Sequence, residues 1–173
     1  NALGVIAMAH HIGIELAVAE RAIALFRGTE RRLQEKGSHK GALVIDDYAH
    51  HPTEVKSTLA GVRLKFPKRR IVVIFHPHTF TRTSAFLSDF AKSFQDADKV
   101  IVLPVFGSAR EKVGTVKSED LVDLINKLSP NKAESTESLE SAVAKLRAEV
   151  ESTDVVITMG AGDGWKVAEE LVS

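Results

Sequence analysis

The sequence contains no cysteine, which excludes a disulfide framework and a cysteine nucleophile and is typical of a reducing compartment. Neither sign of charge dominates, because 23 Lys and Arg residues balance 23 Asp and Glu residues. A broad electrostatic surface for nucleic acid or anionic lipid is therefore not expected. No apolar run approaches the ~20 residues that span a bilayer, and no signal peptide pattern is present, so we expect a cytoplasmic protein.

Two common motifs of nucleotide binding and catalysis are also missing. The sequence has no G-x-x-x-x-G-K-[ST] phosphate loop and no G-x-S-x-G nucleophile motif, so it lacks the usual means of holding a nucleoside triphosphate. Its 173 residues, 44% hydrophobic and 27% charged, suit one globular domain with a fragment of a second. Because the first residue is Asn1 and a helical pattern starts at once, we interpret the chain as a piece of a longer protein.

What the sequence does contain is a regular alternation of apolar runs and amphipathic segments. Residues 2–12 and 15–26 predict two helices, which are separated at Gly13 and ended by Gly28. Two short strands follow, the second at 42–45. Helices are then predicted at 52–66, 83–94, 118–128, 138–151 and from 164, and strands at 71–75, 100–105, near 133 and at 154–159. This alternation predicts an α/β fold: a Rossmann-like, mostly parallel sheet of about six strands, with helices on both faces and one antiparallel strand.

Unusual polar segments directly follow several of the predicted strands. They are DDYAHHP (46–52), HPHTFTRT (76–83), FGSARE (106–111) and GAGDG (160–164). Ligands of parallel α/β sheets bind beyond the carboxyl ends of the strands. We therefore expect these four segments to converge on one rim of the sheet and to form a site there.

Two of these segments suit anion binding. Gly160 and Gly162 lie in a strand-to-helix turn, where backbone N–H groups can approach an anion. The turn is not a full G-x-G-x-x-G followed by an acidic residue ~20 positions on, so we favour a tight turn that lines a substrate over a dinucleotide site. Arg82, after Thr79, suits bidentate capture of a carboxylate or phosphate, and a solvated helix cap is the alternative.

The histidine pairs His50/His51 and His76/His78 suggest a metal site, with an aspartate of the 46–47 pair as a further ligand. No third anchoring motif accompanies them, and neighbouring imidazoles usually face opposite ways. We therefore expect no metal site and favour a histidine that hydrogen-bonds to a substrate. A small metal-dependent hydrolase is the competing interpretation.

The motifs DDYAHHPTEV, FHPHTFTRT, VFGSARE and MGAGD, in this order and spacing, resemble the C-terminal domain of the Mur ligases. The opening stretch, NALGVIAMAHHIGI to FRGTERR, resembles the end of the central ATPase domain of these enzymes. The resemblance thus implies that residues 1–30 are a remnant of the central domain with its hinge, and that residues 31–173 are the C-terminal domain. The pattern is most similar to the Gram-positive form of the member that uses L-alanine.

The resemblance implies that the longer protein joins L-alanine to the lactyl carboxylate of UDP-N-acetylmuramate in peptidoglycan precursor synthesis, with ATP and Mg²⁺, through an acyl phosphate. The C-terminal domain is expected to close over the other two domains and to exclude water. Because ATP and Mg²⁺ would be bound mainly by domains absent from this chain, we expect no complete catalytic set here and an inactive fragment. The alternatives are the family member that reattaches recycled peptides to UDP-N-acetylmuramate, and a non-catalytic nucleotide-binding module.

The resemblance also matches individual residues to ligands. The residues matched to ATP-contacting positions are Asn1 for adenine, Arg32 for the phosphates, Asp47 for the ribose side and Tyr48 near the base. His50 and Arg82 match residues that place the incoming amino acid and its carboxylate. Thr79 stands where many relatives carry arginine, which leaves a second cationic contact to that carboxylate in question.

Overall fold

The computed structural model describes residues 2–26, 28–109 and 111–173, and Asn1 lies outside them. Six strands form one sheet: β1 Gln34–His39, β2 Ala42–Asp47, β3 Ile71–Phe75, β4 Lys99–Val102, β5 Ala133–Ser135 and β6 Val155–Met159. Their order across the sheet is β1-β2-β6-β3-β4-β5. The β1–β2 pair is antiparallel and the remaining four neighbouring pairs are parallel. The predicted fold class is confirmed.

The helices of the described residues are α1 Ala2–His11, α2 Leu16–Leu25, α3 Pro52–Lys65, α4 Phe80–Ala85, α5 Leu87–Ser93, α6 Ser118–Leu128, α7 Leu139–Glu149 and α8 Trp165–Val172. Of these, α3, α5 and α6 cover one face of the sheet, and α7 and α8 cover the other. Alternate residues of β3 face opposite sides. Val73 and Phe75 join the core with α3, α5 and α6, whereas Val72 and Ile74 join the core with α7 and α8. Because both faces are buried, the central strands are continuous apolar runs.

The single helix predicted at 83–94 is wrong, since the structure has two helices there. Thr79 caps α4 by accepting a hydrogen bond from the Arg82 N–H at 3.3 Å, so the helix begins three residues earlier than predicted. Phe86 then leaves the helical region, with φ −112° and ψ 18°, and separates α4 from α5. Arg82 therefore lies inside a helix rather than in the loop before one.

The strand predicted at 100–105 ends early, at Val102. Pro104 has no N–H to donate to a strand ladder. Phe106 instead donates its N–H to the Pro77 carbonyl at 2.8 Å and accepts from the Thr79 N–H at 2.8 Å. These bonds fasten the segment after β4 to the segment after β3, which are two of the polar segments expected to meet.

Ion pairs tie the edge strand β5 to α7. Lys99 and Lys145 each contact both Glu134 and Glu149, at 2.8 to 3.1 Å. Hydrogen bonds from these lysines lower the pKa of both glutamates, against the opposing effect of burial. Partly exposed pairs of this kind contribute about 0.2–1 kcal/mol each, which suits a strand of three residues at the edge of a sheet.

Helices α1 and α2 pack on each other and make few contacts with the other described helices and strands. Ala9 and Ala19 are the buried residues of this hairpin, and an apolar groove of about 490 Å³ runs along it. Its large exposed apolar side chains are Leu3, Val5, Met8, Ile12, Ile14, Leu16, Val18, Leu25 and Phe26. An exposed apolar surface of this extent is typical of an interaction site. None of the helices in the described residues combines the length and apolarity needed to cross a membrane.

Candidate functional site

The carboxylate of Asp47 lies at the end of β2 and holds two neighbouring segments. Oδ2 accepts a hydrogen bond from the Leu33 N–H at 2.8 Å, and Oδ1 accepts from the Ala49 N–H at 2.8 Å and the Thr58 hydroxyl at 3.4 Å. The residue is only 4% exposed. The carboxylate is thus engaged by donors of this chain, and the contact of Asp47 with a ribose stays a prediction.

Two arginines lie over the ring of Tyr48. The guanidinium carbons of Arg31 and Arg32 are 4.8 Å and 5.7 Å from the centre of the ring. The Arg32 residue is exposed, and its side chain makes no hydrogen bond to another described residue. An aromatic face beside an uncommitted guanidinium suits a base and its phosphates.

His50 is oriented by its own loop. Its Nδ1 lies 3.0 Å from the Tyr48 carbonyl oxygen and 3.3 Å from the Glu54 carboxylate. Both partners are acceptors, so Nδ1 carries a proton and donates it to them. Burial opposes ionisation of Glu54, but the N–H groups of His50 and His51 outweigh it and lower the pKa of this carboxyl group.

The second histidine of this pair faces elsewhere. His51 Nδ1 accepts from the Thr53 N–H at 3.3 Å and caps α3. Its ring meets the edge of Phe86 at 5.0 Å, in a cleft of about 470 Å³ that also contains Lys56 and Lys92. The side chains of His50 and His51 therefore point in different directions and contact different residues, as expected for neighbouring imidazoles.

The glycine-rich turn after β6 is built around His76. A Cβ atom on Gly160 would lie 2.4 Å from the His76 carbonyl oxygen, and one on Gly162 would lie 2.9 Å from His76 Nδ1. These contacts require glycine at both positions because no side chain fits between the turn and the histidine. Anion binding by the turn stays a prediction, and close packing is the role that its geometry supports directly.

Burial lowers the pKa of His76 to about 4. The residue is 6% exposed, and its Nδ1 has no partner among the described residues. The neutral ring is therefore the form that is present at neutral pH.

We expect the NMR signals of His76 to show no titration above about pH 5. Because its folded pKa lies below the ordinary value of 6.5, the unfolded chain binds a proton first as the pH falls. Stability is thus lost from about pH 6.5 downwards, by at most about 1.4 kcal/mol per pH unit. Urea unfolding of wild type and of His76→Gln, which removes the titrating ring but keeps a polar side chain, should reveal this loss only in wild type. A His76 titration midpoint near pH 6.5 would contradict the prediction.

The turn between β3 and α4 is strained. Thr79 has φ 66° and ψ 132°, a region that L-residues rarely adopt. Its N–H bonds to the Phe106 carbonyl, and its carbonyl accepts from the Thr83 hydroxyl at 2.7 Å. From the neighbouring loop, Glu111 accepts from the N–H groups of Phe80 and Thr81 at 2.9 and 2.8 Å. The Thr79 side chain acts as a helix cap, and its contact with a substrate stays a prediction.

His78 and Arg82 lie in the segment that follows β3. Burial and the charges of Arg82 and His50 lower the pKa of His78, while Glu111 opposes the shift. His78 stacks on Phe106 with ring centres 5.6 Å apart, and Arg82 Nη1 is buried without a partner among the described residues. The strand register pairs both Asp47 and Phe75 with Met159, so the 46–52 and 76–83 segments follow strands that end at the same edge of the sheet, as predicted. No group of three or more potential metal ligands occurs within the described part of the chain.

Comparison with known proteins identifies the family. The profile described as "Mur ligase, glutamate ligase domain" matches residues 31–162. The chain belongs to the Mur ligase family. It is 45% identical over 173 residues to a UDP-N-acetylmuramate–L-alanine ligase of Desulfitobacterium hafniense, with 99% of this chain and 38% of that protein covered. A ligase of the same name from Caldanaerobacter subterraneus is 41% identical, with 99% and 37% covered.

Solved structures of Mur ligases also match this domain. The UDP-N-acetylmuramate–alanine ligase of Thermotoga maritima superimposes with a TM-score of 0.81 and 30% identity, covering 99% of this chain and 36% of that one. A murein peptide ligase from Psychrobacter arcticus gives a TM-score of 0.71 and 26% identity, covering 98% and 35%. The Mur ligase domain described here therefore spans less than two fifths of the length of these relatives.

Reasoning from the sequence missed two residues of this Mur ligase site. The sequence does not distinguish Arg31 from its neighbour Arg32, yet Arg31 hydrogen-bonds to Asp46 at 2.9 Å and to the Gly160 carbonyl at 2.7 Å. Glu111 fastens α4 from a separate loop. Neither contact has a sequence signal, since each joins residues that are distant in the chain.

Proposed function

We propose that this Mur ligase domain is the amino-acid- and ATP-contacting closing domain of a UDP-N-acetylmuramate–L-alanine ligase. The longer enzyme forms an amide between L-alanine and the lactyl carboxylate of UDP-N-acetylmuramate, through an acyl phosphate, in the cytoplasmic synthesis of peptidoglycan precursors. The proposal is supported by identities of 45% and 41% with two enzymes of that name. Since the chain covers 38% and 37% of them, the activity is proposed for the longer protein.

The observation that carries the proposal is the unpaired nitrogen of Arg82. A buried guanidinium N–H without a partner costs about 1–3 kcal/mol, and Arg82 Nη1 has none among the described residues. The carboxylate of an amino acid would supply the missing acceptor and would gain a charge-assisted hydrogen bond. Burial and the charges of Arg82 and His50 lower the pKa of His78, which favours its neutral ring, so that it adds no second charge.

The residues present fit ATP on the other side of the 46–52 loop. The guanidinium of Arg32 lies 5.7 Å from the centre of the Tyr48 ring. Arg32 would therefore hold phosphate oxygens while the Tyr48 ring lies against the base. ATP supplies the phosphoryl group that activates the substrate carboxylate, and Mg²⁺ would be bound mainly by the other domains. The residues of this chain bind and orient, and on closure they exclude water from the acyl phosphate.

The α1–α2 hairpin fits the same proposal. We assign residues 1–30 to the end of the central ATPase domain and its hinge, and residues 31–173 to the C-terminal domain. The hairpin buries only Ala9 and Ala19 within itself. Its exposed apolar side chains would pack against the remainder of the central domain in the longer protein, which removes them from water.

An assay of the longer protein tests the proposal. With ATP, Mg²⁺ and UDP-N-acetylmuramate, we expect amide formation and phosphate release with L-alanine and none with a free tripeptide that begins with L-alanine. The 173-residue chain alone should form no product and serves as the matched control. Preference for the tripeptide would instead support the peptide-recycling ligase, which the likeness to a murein peptide ligase makes the second candidate. Absence of any ATP-dependent ligation would leave a nucleotide-binding module.

A further inference from the structure

Arg31 contacts three separate segments of the domain. Its Nε donates to Asp46 Oδ2 at 2.9 Å, and its Nη2 donates to the Gly160 carbonyl at 2.7 Å. Its guanidinium also lies 4.8 Å from the centre of the Tyr48 ring. One side chain thus joins the segment before β1, the end of β2 and the glycine-rich turn after β6.

The backbone of this segment is held as firmly as the side chain. The Arg31 carbonyl accepts from the Tyr48 N–H at 2.7 Å, and the Arg31 N–H donates to Gln34 Oε1 at 3.1 Å. Arg31 and Leu33 have φ values of 56° and 47°, a left-handed conformation that non-glycine residues adopt at a cost. Leu33 is fixed in it by the Asp47 carboxylate. Strain that is maintained by several contacts is typical of functional sites.

The partner of Arg31 is a buried carboxylate with few other contacts. Asp46 is 1% exposed, and its other oxygen accepts from the Thr158 hydroxyl at 2.7 Å. Arg31 is its single salt-bridge partner among the described residues. A buried charge that loses its counter-ion is strongly destabilising, so the pair links the position of the Arg31 segment to the interior of the sheet.

We infer that Arg31 is a positioning residue, which sets Tyr48 and the glycine-rich turn relative to Arg32 and so orients the nucleotide-contacting side chains without touching the nucleotide. This inference rests on the proposed function for what the oriented side chains bind. The two arginines have different roles. Two nitrogens of Arg31 donate to acceptors of the protein, whereas Arg32 is exposed and can bind a ligand.

The kinetic test uses the longer ligase with Arg31→Ala, Arg31→Lys and the double variant Arg31→Ala with Asp46→Asn. The asparagine removes the stranded charge and keeps an acceptor for Thr158, so the double variant should regain most of the stability lost in Arg31→Ala. We expect its KM for ATP to stay raised about tenfold or more, with kcat within about threefold of wild type, because Tyr48 and the turn are no longer held. Lysine keeps the charge without the guanidinium fork, and an intermediate KM is expected.

The inference would be overturned if the double variant regained both the stability and the ATP KM of wild type, since Arg31 would then have only a structural role. Arg32→Ala is the matched control: it should raise the ATP KM without changing the free energy of unfolding.

A second readout does not depend on the substrate. The chain has one tyrosine and one tryptophan, and they are Tyr48 beside Arg31 and Trp165 at the start of α8, just after the glycine-rich turn. In NMR spectra of the 173-residue chain, Arg31→Ala with Asp46→Asn should shift the Tyr48 ring and Trp165 indole signals. Unchanged signals would overturn the inference. If the longer protein shows no ligation, the proposed function fails while these shifts still decide the role of Arg31.

Discussion

Replacing Arg82 by alanine in the longer ligase is expected to lower kcat/KM for L-alanine by about 10²-fold or more, while the ATP KM and the stability change little. The loss of a charge-assisted hydrogen bond that is shielded from water costs roughly 2–4 kcal/mol, which corresponds to this factor. Arg82 lies in α4 with Nη1 buried and unpaired, and its removal disrupts no ion pair among the described residues. Initial rates at varied L-alanine and saturating ATP measure the effect.

Two controls separate binding of a carboxylate from general damage. Arg82→Lys should recover part of the activity, because it keeps the charge but not the planar fork. Arg147→Ala, on α7, removes contacts with Glu170 at 2.8 and 3.9 Å and should leave the kinetics of L-alanine unchanged. If Arg82→Ala raised the KM for ATP as much as that for L-alanine, the assignment of Arg82 to the amino acid would be wrong.

Gly160→Ala is expected to destabilise the fold by about 3 kcal/mol or more. Gly160 has φ 132°, where a side chain costs roughly 1–3 kcal/mol in backbone strain. Its new Cβ would also lie 2.4 Å from the His76 carbonyl oxygen and 3.2 Å from the carbonyl carbon, so backbone atoms must move. Urea unfolding of the 173-residue chain, followed by the fluorescence of Trp165, measures the free-energy change.

The same substitution at Gly61 provides a control of opposite sign. Gly61 lies inside α3, and a Cβ there would meet nothing within 4 Å. Alanine at an exposed, unstrained helical position stabilises by about 0.4–1 kcal/mol, because it restricts the unfolded chain. Equal effects at Gly61 and Gly160 would show that neither strain nor the contact with His76 matters at the turn.

The class of fold was predictable because its signals are local. Continuous apolar strands such as residues 71–75, each followed by a helix, are the pattern of a parallel sheet covered on both faces. The wrong start of the helix predicted at 83–94 depends in part on a distant contact: α4 begins at Phe80 because Thr79 caps it and because Glu111, from another loop, accepts from its first N–H groups. A capping residue that lies in another loop leaves no mark near the helix it stabilises.

The rim of the site was predictable for a related reason. Polar segments that follow strands of a parallel sheet must lie at the same edge, so the meeting of His50 with the His78–Arg82 segment follows from chain order. The role of each side chain within the rim was not predictable. Asp47 was matched to a ribose contact, but its carboxylate accepts hydrogen bonds from the N–H groups of Leu33 and Ala49. Whether a carboxylate has such partners depends on the positions of backbone N–H groups in the folded chain.

The sequence by itself determined the sheet, the helices on its two faces and the family, because residue spacing and short motifs encode these directly. Only the tertiary structure decided that Arg31 is the internal partner of Asp46 and that Arg32 is the exposed arginine. It also decided that the glycine turn packs on a neutral His76. The physical reason is that burial and the pairing of charges are properties of groups brought together from distant positions, and two adjacent arginines or histidines are alike until their neighbours in space are known.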